Sequence, residues 1–305
     1  MRMTMRYKQL FEQLKADNQL AYIPFLLLGD PTEELSLKLI DRLVENGADA
    51  LELGFAFSDP VADGPVIQTA SLRPLANGFS VQNGFALIKT VRAKYPDLPI
   101  GILTYANLVF APGIDQFYHD AQQAGVDSVL IADCPVEEGA LFAGSARAHK
   151  IETVYLAPPD AGESSLQLIA SNSQGYTYVL SRKGITGTEN SAQETGTNLI
   201  DQLKRLGAPP LVQGFGISRP EHVLQAARAG VDGIITGSAI VNLINEHYNT
   251  PDKMLDLVAE YAKTMSNAAH NARHELNMTK SIEKGSHYVD SRNSQATTAG
   301  NGTAG

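Results

Sequence analysis

Residues 124–133 read Ala-Gly-Val-Asp-Ser-Val-Leu-Ile-Ala-Asp, and the same opening recurs at Ala229-Gly-Val-Asp232 ahead of Gly233-Ile-Ile-Thr-Gly237. A variant, Asn46-Gly-Ala-Asp49, precedes Ala50-Leu-Glu-Leu-Gly54. In each, the glycine reads as a helix C-cap, a short turn follows, and an apolar run begins. Apolar runs of this length suit strands buried on both faces. Working outward from these three gives eight strands: Ala21–Gly29, Ala50–Gly54, Pro99–Tyr105, Ser128–Asp133, Thr153–Ala157, Tyr176–Ser181, Pro210–Gly214 and Gly233–Gly237. Helical spacing separates them, as over Leu35–Val44 and Val81–Tyr95. Such alternation builds either an open doubly wound sheet or a closed (β/α)8 barrel. Eight strands within 305 residues favour the barrel. The expected architecture is therefore α/β: a single (β/α)8 TIM barrel over residues 1–268. Tyr7–Leu14 has helical apolar spacing and adds a helix before the first strand. Residues 269–305 read as a low-complexity tail, expected to be disordered, because Asp290–Gly305 holds no large apolar residue.

Composition narrows the function classes. Hydrophobic residues at 43% and charged residues at 19% exclude a coiled coil, a collagen-like fibre and a wholly disordered chain. Lys and Arg number 24 against 33 Asp and Glu, so the formal charge is −9, opposite to the basic excess of nucleic-acid binders. One Cys cannot form an internal disulfide, and no apolar run approaches the ~20 residues that span a bilayer. Met1–Arg6 is basic, but the apolar stretch of a secretory signal does not follow. A cytoplasmic protein with no membrane or nucleic-acid partner is expected.

Barrel enzymes carry their chemistry at the C-terminal ends of the strands. Glu52 interrupts the apolar second strand there. It is either one half of a structural ion pair or a carboxyl whose pKa burial has raised toward neutrality, as acid/base catalysis needs. The loop that follows, Phe55–Pro65, is long and stiffened by Pro60 and Pro65, and Asp63 within it is either a turn former or a second functional carboxylate. After the seventh and eighth strands come Gly214-Phe-Gly216-Ile-Ser218 and Thr236-Gly237-Ser238-Ala239. Barrels commonly bind phosphate at these places, on backbone N–H groups at a helix N-terminus, which makes Gly216, Gly237 and Ser238 candidates. Lys183–Asn198 is Gly- and Thr-rich, and reads as a lid or as an inert surface loop. His270 and His274 have metal-chelating i, i+4 spacing but no third ligand, so no metal is expected. Cys134 has no neighbouring base and reads as a small buried residue.

Leu51-Glu-Leu-Gly54 followed by Phe57-Ser-Asp-Pro-Val-Ala-Asp-Gly-Pro-Val-Ile-Gln68 resembles the signature of the tryptophan synthase alpha chain family. Further segments resemble it in order: Pro24-Phe25 through Gly29-Asp-Pro31, Tyr105-Ala-Asn107-Leu, Tyr178 through Gly187, Gly214–Ser218 and Gly237–Ile240. Ala56 and Thr104 depart from the family pattern, which usually has Pro at the first and often a larger apolar residue at the second. The resemblance implies retro-aldol cleavage of indole-3-glycerol phosphate to indole and glyceraldehyde 3-phosphate, without a cofactor in this chain. It implies Glu52 as the proton-transfer group, Asp63 as acceptor for the indole N–H, and Tyr178 as the side chain that orients Glu52 or the substrate. Gly184 would join the phosphate site and Thr186 the lid. Phe25, Leu103, Phe215 and Ile235 would wall the indole pocket. A pyridoxal-phosphate-dependent beta subunit would complete an α2β2 assembly, with Asp59 and Asn107 turned toward it. Two alternatives stand beside this reading. One is another phosphate-binding barrel of indole-glycerol phosphate metabolism, though no strand-end Lys acid is present. The other is a non-catalytic activator of the beta subunit, which would have no need of both Glu52 and Asp63.

Overall fold

A computed structural model describes residues 5–180 and 198–296, with side chains as far as residue 278. Nine parallel strands appear: β1 (Ala21–Leu27), β2 (Leu51–Gly54), β3 (Ile100–Thr104), β4 (Ser128–Ile131), β5 (Glu152–Val154), β6 (Leu156–Ala157), β7 (Thr177–Leu180), β8 (Leu211–Gly214) and β9 (Gly233–Thr236). Their order is β5-β4-β3-β2-β1-β9-β8-β7-β6. The two ends of that order are one stretch of chain. The fifth strand of the sequence reading is broken at Tyr155; its first piece pairs with β4 and its second with β7. The Tyr178 N–H donates to the Tyr155 carbonyl at 3.1 Å across the break. The eight expected strands thus form a ring, and β1 meets β9 to complete the other side.

Side-chain alternation sorts the core into two clusters, as period-2 geometry requires. Leu51, Leu53, Ile100, Ile102 and Ile234 belong to the layer between strands and helices. Ala50, Phe25, Leu130, Tyr176, Tyr178, Val212 and Ile235 fill the barrel interior. Glu52, between Leu51 and Leu53, shares the inward face of Ala50.

The N-terminal helix Arg6–Ala16 buries Tyr7, Phe11 and Leu14 in that interior cluster and stops the barrel's N-terminal end. Asp127, from the Ala-Gly-Val-Asp turn, pins this floor. It is fully buried and accepts from Arg6 at 2.7 Å, from Arg92 at 2.6 Å and from the Ile100 N–H at 2.9 Å. Among the described residues no helix is long and apolar enough to cross a membrane.

The last helix departs from expectation. It runs from Pro251 to Ala296, well beyond the expected boundary at 268. Ala269 and Ala272 are buried, the Leu20 N–H donates to the Ala269 carbonyl at 3.2 Å, and Arg273 donates to Asp232 at 3.2 Å. The packed barrel therefore extends at least to Arg273. Methyl-sized side chains suffice where a helix lies close against its neighbours, so a scarcity of large apolar residues does not mark where packing stops. Residues 297–305 lie outside those described.

Candidate active site

Glu52 stands opposite Phe25 of β1 and Gly101 of β3 in the strand register. It is 1% exposed. Its Oε1 accepts from the Tyr176 hydroxyl at 2.9 Å, while Oε2 is buried without a partner. Burial pushes the carboxyl up to about 7, against the opposing pull of the Tyr176 hydrogen bond. Protonated and ionised forms are thus both populated near neutral pH, the condition for a group that must give and take a proton. No ion-pair partner approaches Glu52 among the described residues, so the structural ion-pair alternative falls away.

Asp63 sits in the loop after β2, where it precedes Gly64 and the helix Pro65–Ala76 that starts on Pro65. The Tyr105 hydroxyl donates to its Oδ2 at 2.9 Å and accepts from the Ala62 N–H at 3.2 Å. Gln68 donates to its carbonyl at 2.9 Å. The Phe57 ring stacks on Tyr105, 5.0 Å between centroids. Partial burial raises the Asp63 pKa, and the Tyr105 hydrogen bond partly offsets this. Ala56 stands where the family usually has Pro, and Asp63 is anchored from elsewhere, at its side chain by Tyr105 and at its carbonyl by Gln68.

Tyr178 lies inward on β7, buried, near enough to both carboxylates that their charges raise its pKa further. It does not hydrogen-bond Glu52. The hydroxyl that does belongs to Tyr176, two residues earlier on the same face and hence one layer deeper. Tyr176 in turn packs on Tyr7 of the N-terminal helix at 5.4 Å. The Tyr178 ring fills the space a side chain at Gly214 would need, which explains that glycine at the end of β8. Tyr176 and Tyr105 are the residues the sequence reading missed. The signal for Tyr176 was its parity with Tyr178, and Tyr105 opened a segment already quoted.

The two glycine segments lie beside each other, because β8 pairs with β9. Phe215 and Gly216 both take positive φ, 61° and 78°. Gly237 precedes the helix Ser238–His247, whose first turn has no side-chain cap. Its leading N–H groups therefore have no side-chain acceptor, and a helix N-terminus of this kind is suited to phosphate. Phe25 bridges the two halves: its ring lies against Gly54 on one side and Gly237 on the other. Phe25 and Ile235 are buried, Leu103 is half-buried, and Phe215 is 51% exposed. Asp59 and Asn107 are exposed around the mouth of the barrel. Gly184 and Thr186 lie outside the described residues, as does the 183–198 loop apart from Asn198, which leads a helix over 198–205.

Among the described residues no group of three or more His, Cys, Asp or Glu side chains is placed to hold a metal. His270 is engaged with Asp49 at 2.9 Å. The Cys134 thiol is pushed up to about 11 by burial and by Glu138 and Asp133, which makes it a poor nucleophile.

Comparison with known proteins gives the same picture. The family model for the tryptophan synthase alpha chain matches residues 11–270. A tryptophan synthase alpha chain of Shewanella baltica is 54% identical over 265 residues, 87% of this chain and 97% of the relative. One from Escherichia coli is 50% identical over 266 residues, 87% of this chain and 99% of the relative. The solved tryptophan synthase alpha subunit of Legionella pneumophila superimposes with a TM-score of 0.80 at 31% identity, over 87% of this chain and 98% of its own. A structure from Pyrococcus furiosus, described as the basis of mutual activation of the tryptophan synthase α2β2 complex, matches at 0.74 and 33% identity, over 81% and 98%. On a family match that spans most of its length, and on relatives 50–54% identical over 87% of it, this chain belongs to the tryptophan synthase alpha chain family.

Proposed function

We propose that this chain is a carbon–carbon lyase that cleaves indole-3-glycerol phosphate to indole and glyceraldehyde 3-phosphate, the alpha half-reaction of L-tryptophan synthesis. The observation that carries the reading is Glu52: a buried carboxyl tuned to about 7, with one oxygen held by Tyr176 and the other unpartnered within the barrel. The substrate phosphate would rest on Gly184, Gly216, Gly237 and Ser238. The indole ring would lie among Phe25, Leu103, Phe215 and Ile235, in reach of Tyr178. Thr186 would shield it on the lid.

Two proton movements accompany the bond cleavage. A proton added at indole C3 makes the ring an electron sink. Loss of the proton from the adjacent glycerol hydroxyl lets that oxygen form the aldehyde carbonyl, while the electron pair of the C–C bond passes into the ring and restores aromaticity. Glu52 gives the first proton and takes the second, so it ends as it began. Positive charge in the intermediate gathers at the indole nitrogen, whose N–H donates to ionised Asp63. Tyr105 holds that carboxylate in place at 2.9 Å. The steps use side chains of this chain alone and assign it no cofactor.

The proposed partner is a beta subunit that carries pyridoxal phosphate and consumes the indole, in an α2β2 assembly. Asp59 and Asn107 would face it, and the neighbouring Val61 (81% exposed) and Phe110 (46% exposed) supply apolar surface there. A cytoplasmic location fits a biosynthetic enzyme of this kind. The test is Glu52→Gln. Indole release by the isolated chain should fall by ~10²–10⁴-fold with circular dichroism unchanged, the range for loss of general acid–base catalysis. Near-normal release would overturn the assignment.

A further inference from the structure

A second carboxyl lies inside the barrel at the opposite end from the proposed active site. Glu152 begins β5, on the inward face it shares with Val154, and stands opposite Ser128 in the register. It is 8% exposed, and its Oε2 is buried with no hydrogen-bond partner. An unpaired buried carboxylate is costly unless a donor meets it. Asp127 nearby makes matters worse; with burial it pushes Glu152 up to about 7.

Glu152 lines a cavity of about 530 Å3 behind the N-terminal helix. Its volume falls within the ~300–1,000 Å3 range of small-molecule pockets. Phe11, Leu14, Ala208 and Pro210 supply its apolar lining. At the rim stand the exposed Lys8 and Lys15. Arg273 is already committed to Asp232, and Lys8 stands 3.8 Å from the exposed Glu12. Glu12 and Asp232 also line it, paired with Lys8 and Arg273, so the lining offers the Glu152 carboxyl, apolar side chains and, at the rim, Lys15 as the cation with no ion pair among the described residues.

We propose that this cavity is a binding site for a small α-amino acid with an apolar side chain, its ammonium on Glu152, its carboxylate toward Lys15, and its side chain against Phe11 and Pro210. The charges select the class. A simple amine would satisfy Glu152 but leave Lys15 unpaired. A simple carboxylate would suit Lys15 but face Glu152. A zwitterion satisfies both, and the apolar lining takes its side chain. No residue of the proposed reaction lines the cavity, so this site and the catalytic reading stand or fall separately.

The experiment uses the full chain and titrates L-phenylalanine and L-leucine by calorimetry and by amide chemical shifts. Saturable binding is expected, with shifts at residues 8–19, 152 and 175. 3-Phenylpropionate, which lacks the ammonium, and phenethylamine, which lacks the carboxylate, should each bind at least about tenfold more weakly, as loss of a charged hydrogen bond implies. Glu152→Gln should cost at least about tenfold, and Lys15→Ala, at an exposed position that cannot unfold the protein, about threefold. The proposal is overturned by no saturable shift at those residues up to about 10 mM, well beyond which binding is too weak to be specific. It is equally overturned by undiminished binding to either variant, by either analogue binding as tightly as the amino acids, or by shifts confined to the mouth of the barrel.

Discussion

Glu52 and Glu152 are near twins in different settings. Each points inward from a barrel strand, each is pushed up to about 7 by burial, and each has a buried Oε2 with no partner. Glu52 has a tyrosine donor on its other oxygen and opens toward Asp63 and two N–H-rich loops. Glu152 has no donor among the described residues and lines a pocket of mixed charge and apolar side chains. A raised pKa therefore reports burial, and the neighbours decide what the group can do with it. The surroundings differ in stiffness as well. The floor is clamped by Asp127 and two arginines, while the mouth is built from loops. Barrels commonly divide stability and chemistry between these ends in this way.

The floor clamp gives the largest expected effect on stability. Arg92→Ala leaves Asp127 short of a partner and should cost about 3–5 kcal/mol, the cost of breaking a buried pair. Urea unfolding measures it, and indole release per folded molecule should hold within about threefold. A larger fall in activity would mean that the two ends are not separable. Next comes the pH dependence of Glu152. Its folded-state pKa is raised, so the folded protein holds that proton more tightly than the unfolded chain, and ionisation costs stability as pH rises from about 4.3 through about 7. Glu152→Gln should therefore change little at pH 4 and gain roughly 3–4 kcal/mol above pH 8. A gain that does not vary with pH would show that Glu152 is not strained by its charge.

Tyr176→Phe sharpens the contrast from the other side. It keeps the ring against Tyr7 but removes the hydrogen bond that lowers the Glu52 pKa. That pKa should rise, the limb of the rate profile that needs ionised Glu52 should move to higher pH, and the rate at neutral pH should fall about tenfold. An unmoved limb would leave Tyr176 as packing only. The smallest effect concerns Thr104, where the family often has a larger apolar residue. It is fully buried with an unpartnered Oγ1. Thr104→Val should stabilise by about 1 kcal/mol, raising the melting temperature by a few degrees.

Periodicity and turn chemistry made the ring of strands readable, and a charge inside an apolar run singled out Glu52. What they could not convey is depth. Tyr176 and Tyr178 share a face in any strand reading, but only strand stagger and the N-terminal helix beneath decide which one reaches Glu52. Asp127 looked like a turn residue because its partners, Arg6 and Arg92, are remote in sequence. Glu152 fell just ahead of the expected strand at Thr153, so its inward direction was invisible. The break at Tyr155 follows from pairing with two different neighbours, which no local pattern records. Ala269 and Ala272 were missed because small side chains bury little area individually, even where they pack fully.

The pairing of β1 with β9 carries a consequence for synthesis. Ala21 bonds into register with Gly233, more than two hundred residues downstream. At ribosomal rates of about 5–20 residues per second, one edge of a seven-residue apolar strand waits at least ten seconds for its neighbour. Unpaired edges invite pairing with other chains. Chaperone demand and inclusion-body formation should therefore track how quickly residues 233–236 emerge, and slow codons between β1 and β9 should lower soluble yield without changing the finished protein.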